Sequence, residues 1–299
     1  MDHPDDLLEQ FAFGDAPDVG PHVSACPSCA AQVELARQTA GWLASSHSAP
    51  PPSALRSRVL AAAVSVRPSS SGSALSAYVS EAADLGILLE SLSTEQWAAP
   101  TVDGRSVSEL VRHLAENDGN VLVDLGVAVS SRWRGRSDLL LRTAGEGGEV
   151  LNRSVRLAGK APVRRPLREA ILQRAFETWI HRDDIRAAVA LPLLAPAPAH
   201  LARILSFGLA MLPAAMDAAG RGRLGAVSLH LTGPGGGTHV VPLSSTPSTS
   251  SLAGVAMPAE RFGRLMAGRV PVTSTVAVLG GSRAVALDFL TVAATLGCE

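Results

Sequence analysis

Lysine is all but missing from this 299-residue chain: Lys160 is the only one among 26 basic residues. With 27 glycines and 20 prolines, the skew reads as the coding bias of a GC-rich genome, such as an actinobacterial one, and excludes no function. Neither sign of charge is in excess. A formal net charge of −1 leaves no global basic field for nucleic acid. Three cysteines, two of them in one CxxC, cannot build a disulfide framework and fit a reducing cytoplasm. The opening MDHPDDLLEQ is acidic and lacks an apolar core, so it does not read as a signal peptide. Long apolar runs are also missing. The longest uncharged one, Ala187–Ala199, is too short for a bilayer and holds Pro192, Pro196 and Pro198. Residues 1–36 contain no Lys or Arg, but they do contain Asp2, Asp5, Asp6, Glu9, Asp15, Asp18 and Glu34. Such a head suits a basic partner or a solvated face, and it opposes direct DNA binding.

What is present falls into four stretches. Residues 1–46 read as a small helical head, with helices over Asp5–Phe13 and Pro27–Ser45 around a Gly14–Pro21 loop. Residues 47–73 read as a Pro- and Ser-rich linker carrying one amphipathic helix, 54–66, with Leu55, Val59 and Leu60 on its apolar face. Residues 74–198 predict a four-helix bundle. Its helices are Ala74–Leu92, Ser106–Val129 (opened by the capping box Ser106-x-x-Glu109), a weaker one near Gly148–Leu157, and Leu167–Val189. Residues 199–299 predict an α+β domain. It has a helix at His200–Ala219, strands at Ala226–Thr232 and Thr238–Leu243 around a glycine-rich turn, a helix at Ala259–Ala267, a strand at Val272–Val278 and a closing helix at Ala284–Leu296. The chain is therefore mainly α.

The head carries His22-x3-Cys26-x2-Cys29, with His3 upstream as a candidate fourth ligand. His22 and Cys26 lie one helical turn apart. Pro27 suits the first position of a new helix, which would put Cys29 near an N-terminus that favours thiolate. Two thiolates with one or two imidazoles suit zinc. A unit this small has too little core to stand without a staple. A buried cysteine pair beside an exposed histidine, or a redox CxxC, is the alternative from spacing alone.

Leu7-Leu8-Glu9-Gln10-Phe11-Ala12-Phe13-Gly14 and His22-Val23-Ser24-Ala25-Cys26-Pro27-Ser28-Cys29 together resemble the zinc-binding domain of bacterial anti-sigma factors. Pro51–Leu60 is similar to the segment leading into that domain's fourth helix. The resemblance covers about residues 1–66. It implies a partner, an extracytoplasmic-function sigma factor, held between the head and the helix bearing Leu55, Val59 and Leu60.

The bundle offers a second set. Glu177-x3-His181 shares one helix face, and His113 lies on another helix of the same bundle. Two imidazoles and a carboxylate suit zinc or another divalent ion with an open position. Spacing alone leaves open a solvated pair and a satisfied core histidine. Leu92–Thr101, Ser106–Ala115 and Phe176–Ile185 resemble the mycothiol-dependent maleylpyruvate isomerases. That family implies a DinB-like bundle whose metal is held by two His and one Glu. The roles fall here on His113, Glu177 and His181. The same resemblance implies mycothiol as a thiol cofactor and a C-terminal domain similar to sterol-carrier folds, carried by Leu229–Val241, Gly254–Pro258 and Leu265–Arg269.

Other candidates read as structural. Gly233–Gly237 precedes a strand and predicts a turn. Arg132, Arg134 and Arg136 read as a solvated loop, with an anion grip as the alternative. His47, His200, His230 and His239 have no partner at ligand spacing, and Cys298 reads as a free thiol.

Overall fold

The computed structural model describes residues 5–14, 16–43, 74–129, 133–145, 147–159, 163–272 and 277–297. His3, the linker residues Leu55, Val59 and Leu60, His47, Arg132 and Cys298 lie outside them. The chain divides into two compact units, Met1–Arg56 and Ser57–Glu299.

In the first unit, α1 (Asp5–Ala12), α2 (Gly20–Ala25) and α3 (Pro27–Leu43) enclose a very small core. Leu8, Val23, Cys29 and Val33 are its buried members, with Phe11, Ala12 and Cys26 packed against them. The expected Gly14–Pro21 loop is shorter than the sequence suggested. A 3-10 turn at Pro17–Val19 leads straight into α2, so His22 sits on a helix.

The second unit opens with α4 (Ala74–Glu90), the single turn α5 (Thr94–Trp97) and α6 (Val107–Asp124). The expected capping box is present on α6. The Ser106 hydroxyl accepts the Glu109 N–H at 3.3 Å, and the Glu109 carboxylate accepts the Ser106 N–H at 2.8 Å. The next helix differs from expectation. It is α7, Trp133–Gly145, while Gly148–Asn152 is only a 3-10 turn. Trp133, Ser137, Leu140 and Ala144 recur every three or four residues and are buried, so one face of α7 has a core to meet. Arg134 and Arg136 thus lie on a helix and not on a loop. A short antiparallel pair, β1 (Ser154–Arg156) and β2 (Arg164–Pro166), then delivers the chain to α8 (Leu167–Ala188).

α8 is the strut of this unit. Every residue from Gln173 to Ile185 is buried, charged ones included. Arg174 and Glu177 pair with each other along the helix, and Arg182, Asp183 and Asp184 find partners on other elements. Arg182 reaches Glu81 at 2.8 Å and Asp84 at 2.9 Å, both on α4, and donates to the Leu194 carbonyl at 2.6 Å. Asp183 accepts from Arg264 at 2.7 Å and from the Trp179 indole at 3.1 Å. Asp184 accepts from Arg269 at 2.9 and 3.0 Å.

α9 (Pro198–Ala218) follows. By length and composition it could cross a membrane, but Leu201, Ile204, Leu205, Leu212 and Met216 are buried in the protein core. Beyond it, β3 (Ala226–Thr232), β4 (Gly237–Pro242), β5 (Ser251–Pro258) and β6 (Ala277–Gly281) form one sheet in the order β4-β3-β5-β6. β3 and β4 pair antiparallel across the expected glycine-rich turn, β3 and β5 run parallel, and β5 and β6 are antiparallel. α10 (Ala259–Met266) and α11 (Arg283–Ala293) complete the unit. One hydrophobic cluster runs from Tyr78 and Leu122 through Trp179 and Leu205 to Val255 and Phe289. The bundle and the sheet therefore share a core.

Candidate functional sites

The head site is built by the junction of two helices. α2 ends at Cys26, whose N–H donates to the His22 carbonyl at 2.9 Å. Pro27 opens α3, and the Ala30 N–H donates to the Cys26 carbonyl at 3.0 Å, so Cys26 stands just before that helix. The Cys29 backbone N–H points at the Cys26 sulfur and holds the thiol below its ordinary value, with the Cys29 side chain and the Ser28 N–H acting the same way. Cys29 is buried, and its Sγ lies 3.4 Å from His22 Nε2. One ligand atom each from His22, Cys26 and Cys29 falls within 4.8 Å of the others. Two soft sulfurs and one imidazole so gathered can hold a metal ion, and the donor set suits zinc.

The bundle set is arranged differently. His113 on α6 meets His181 on α8 edge to face, with ring centroids 5.5 Å apart. Glu177 lies one turn before His181. Its Oε1 is buried without a hydrogen-bond partner among the described residues, and its Oε2 contacts the Arg174 guanidinium. His181 Nδ1 lies 3.0 Å from Asp184, which Arg269 grips with two bonds. A proton held at Nδ1 by that carboxylate leaves the Nε2 lone pair available. Asn117, one turn beyond His113, bridges the site: its Nδ2 is 3.1 Å from His113 Nε2 and donates to Glu177 Oε2 at 3.0 Å. Among the described residues, the 4.8 Å grouping is met by the head set and not by this one. A buried carboxylate with one oxygen lacking a partner among the described residues, and two imidazoles on the same pair of helices, are donor types that suit a divalent cation.

Sequence reasoning missed Asn117, Asp184 and Arg269. Asn117 is four residues from His113 and Asp184 three from His181, so helical spacing could have nominated both. Arg269 is distant in sequence and gave no local sign. Of the other histidines, His230 Nδ1 pairs with Thr238 at 3.0 Å, and burial lowers the half-buried His200. Arg134 pairs with Glu90, and Arg136 donates to the Ala115 carbonyl at 2.9 Å. Together they line a cleft of about 780 Å³ walled by Trp97 and Trp133.

Burial is the main cause holding His113 down, to about 4, with His181 adding to it; burial likewise lowers His181, against the pull of Asp184. Both rings are thus neutral when folded and protonate near 6.5 when unfolded. Their contribution to stability is full above pH 6.5 and is lost as pH falls toward 4. Glu81, pushed up to about 7 mainly by burial, and Asp118, pushed up to about 6, act in the opposite sense over the same range. The wild-type profile is therefore a difference of the two effects. Comparison with His113→Gln in chelator isolates one of them: the wild type should lose about 1–2 kcal/mol relative to the variant between pH 6.5 and 4, a figure reduced for the ring's partial exposure. Parallel urea curves for the two proteins across this range would refute the shift.

No family model matches the chain, and no curated protein sequence does. Two solved structures are similar to it. One is a crystal structure of the mycothiol-dependent maleylpyruvate isomerase, at 18% identity and a TM-score of 0.44. The other is a histidine-to-alanine mutant of that isomerase, at 17% identity and a TM-score of 0.45. Each similarity covers 70% of this chain and 92% of the isomerase.

Proposed function

We propose that this chain is a cytoplasmic, zinc-dependent anti-sigma factor: the head sequesters an extracytoplasmic-function sigma factor, and the rear unit serves as a metal-binding sensor or stabiliser. The observation that carries the reading is the convergence of His22, Cys26 and Cys29 in a unit whose core cluster has four buried members among the described residues. Zinc there would supply the cross-link that the core cannot. Leu7, Phe13 and Leu35 remain exposed on the same small unit and offer apolar contact to a protein partner. The resemblance of residues 1–66 to anti-sigma domains names the class of that partner, and the linker segment with Leu55, Val59 and Leu60 would complete the grip. Co-purification with candidate sigma factors tests it. Capture that survives removal of zinc would reject it.

A second reading is favoured by the half-buried His113 and the buried Glu177 and His181. In it the rear unit is a mycothiol-dependent metalloenzyme, an isomerase or thiol transferase, and the head is regulatory. A bound divalent ion would supply a lowered pKa for a coordinated thiol. The chain's own part is to present His181 Nε2 through Asp184, to hold Arg269 against Asp184, and to enclose the site in the bundle core. Turnover of a maleylpyruvate-like electrophile with mycothiol, abolished by His181→Ala, is the expected outcome of this second reading. No turnover, with sigma affinity altered severalfold by mycothiol, is the outcome for a sensor.

A further inference from the structure

We propose that the cleft between α4, α6 and the first turn of α7 binds a small aromatic monocarboxylate, its ring on the tryptophan walls and its carboxylate at the arginines of α7. The site is separate from the His113, Glu177 and His181 cluster and does not depend on how that cluster is read. Ser108, Val111, Arg112 and Ala115 line the cleft from one face of α6, whereas helical spacing puts His113 and Asn117 on the opposite face.

The cleft has the size and the lining of a ligand pocket. Its volume, about 780 Å³, is within the range of small-molecule sites. Leu89 and Val111 join Trp97 and Trp133 in its walls. Trp133 is only 4% exposed, and Trp97, Leu89 and Val111 pack against the same hydrophobic cluster. Packing thus sets the walls before any ligand arrives, and indole faces suit a flat ring.

The charged groups define the other half of the ligand. Three arginines line the cleft, Arg112, Arg134 and Arg136, against two glutamates, Glu90 and Glu116. Positive charge is in excess by one, which suits a single anionic group. Arg112 is 68% exposed between Glu109 and Glu116, so solvent screens it. Arg134 and Arg136 are set more firmly. Each lies against a glycine inside a neighbouring helix, Arg134 against Gly86 of α4 and Arg136 against Gly119 of α6. A β-carbon at 119 would stand 2.9 Å from Arg136 Nη1, and one at 86 would collide with the Arg134 guanidinium. Glycine weakens a helix interior relative to alanine, and here it stands where an arginine needs the space. Arg134 donates through Nη1 to Glu90, and Arg136 through Nη1 to the Ala115 carbonyl at 2.9 Å. Those bonds orient both guanidiniums at the cleft, and a guanidinium fork receives a carboxylate with two parallel bonds.

The test titrates the full chain by calorimetry at low salt with β-naphthoate, with its neutral amide and with the cationic β-naphthylmethylammonium. The carboxylate should bind at one site per chain, about tenfold tighter than the amide, with the ammonium weakest. Trp97→Ala should weaken carboxylate and amide alike, about tenfold. Arg136→Gln should leave the amide unchanged and remove the preference for carboxylate. Should Arg136→Gln fail to fold, Gly86→Ala decides, because its methyl turns the Arg134 guanidinium aside and should cut the preference severalfold. Amide or ammonium binding as tight as the carboxylate overturns the anion assignment, and so does a preference that survives both Arg136→Gln and Gly86→Ala. Failure of all three probes to bind, or binding unchanged by Trp97→Ala, overturns the site itself.

Discussion

Cys26→Ser combined with Cys29→Ser should cost the chain one zinc, the fold of its head and all measurable sigma capture, while the rear unit melts as before. The size of the effect follows from the core. A core cluster of four buried side chains among the described residues, one of them Cys29 itself, cannot offset the ordering of a unit of this length. Structural zinc contributes on the order of 10 kcal/mol or more in small domains, which exceeds the stability of most whole proteins. Metal analysis, near-ultraviolet and far-ultraviolet spectra, and a partner pull-down read the three losses separately. A double variant that retains its head fold and its partner would show that the thiolates are not a staple. Oxidation tests the same site more gently. The site has two thiols, and a zinc bound there would shield both, so a disulfide between them should form slowly under mild diamide. Rapid stoichiometric zinc release would contradict that.

Arg182→Met should be the most damaging single change in the rear unit, costing about 3–5 kcal/mol. Arg182 is 1% exposed, and so is its partner Glu81. Without the guanidinium, Glu81 keeps a buried carboxyl with no cation, and the Leu194 carbonyl loses a donor. Much of the cost is therefore the buried carboxyl left behind, which must take up a proton, and not the pair itself. Adding Glu81→Leu should recover a large part of the loss, and denaturant curves for the four members of the cycle measure the coupling. If Arg182→Met unfolds at the wild-type midpoint, the buried pair contributes nothing.

Local chemistry made much of this fold legible. Ser106 and Glu109 marked a helix start because a capping box needs only four residues. Gly233–Gly237 marked a hairpin because glycine tolerates the turn. The missed elements lacked such signals. α7 begins Trp133-Arg134-Gly135-Arg136, where alternating arginines and a glycine read as loop, and only the buried side of Ser137, Leu140 and Ala144 makes it a helix. β5, Ser251–Pro258, holds Ala253, Gly254 and Ala256, which have weak strand preference. It forms because β3 and β6 flank it on both sides. β1 and β2 are three residues each, below the length at which alternation can be seen. The sites divide the same way. His22, Cys26 and Cys29 are close in sequence, so their spacing announced them. His113, Glu177 and His181 needed the resemblance to be chosen over other histidines. Arg269 became visible only when the fold carried it to Asp184.

That last contact sets an order of events on the ribosome. Asp183 and Asp184 leave the exit tunnel with α8, yet Arg264 and Arg269 follow 81 and 85 residues later. At roughly 5–20 residues per second, the lag is about 4–16 s. Through that interval the strut of the unit carries two carboxylates that no cation has yet joined, and the apolar α9 emerges before the sheet that covers it. The head, whose three candidate ligands lie within eight consecutive positions, would close on its metal ion long before. Nascent chains should therefore present a finished head on an unfinished body, and a protein cut short near Pro198 should be cleared by proteases rather than persist as a stable bundle.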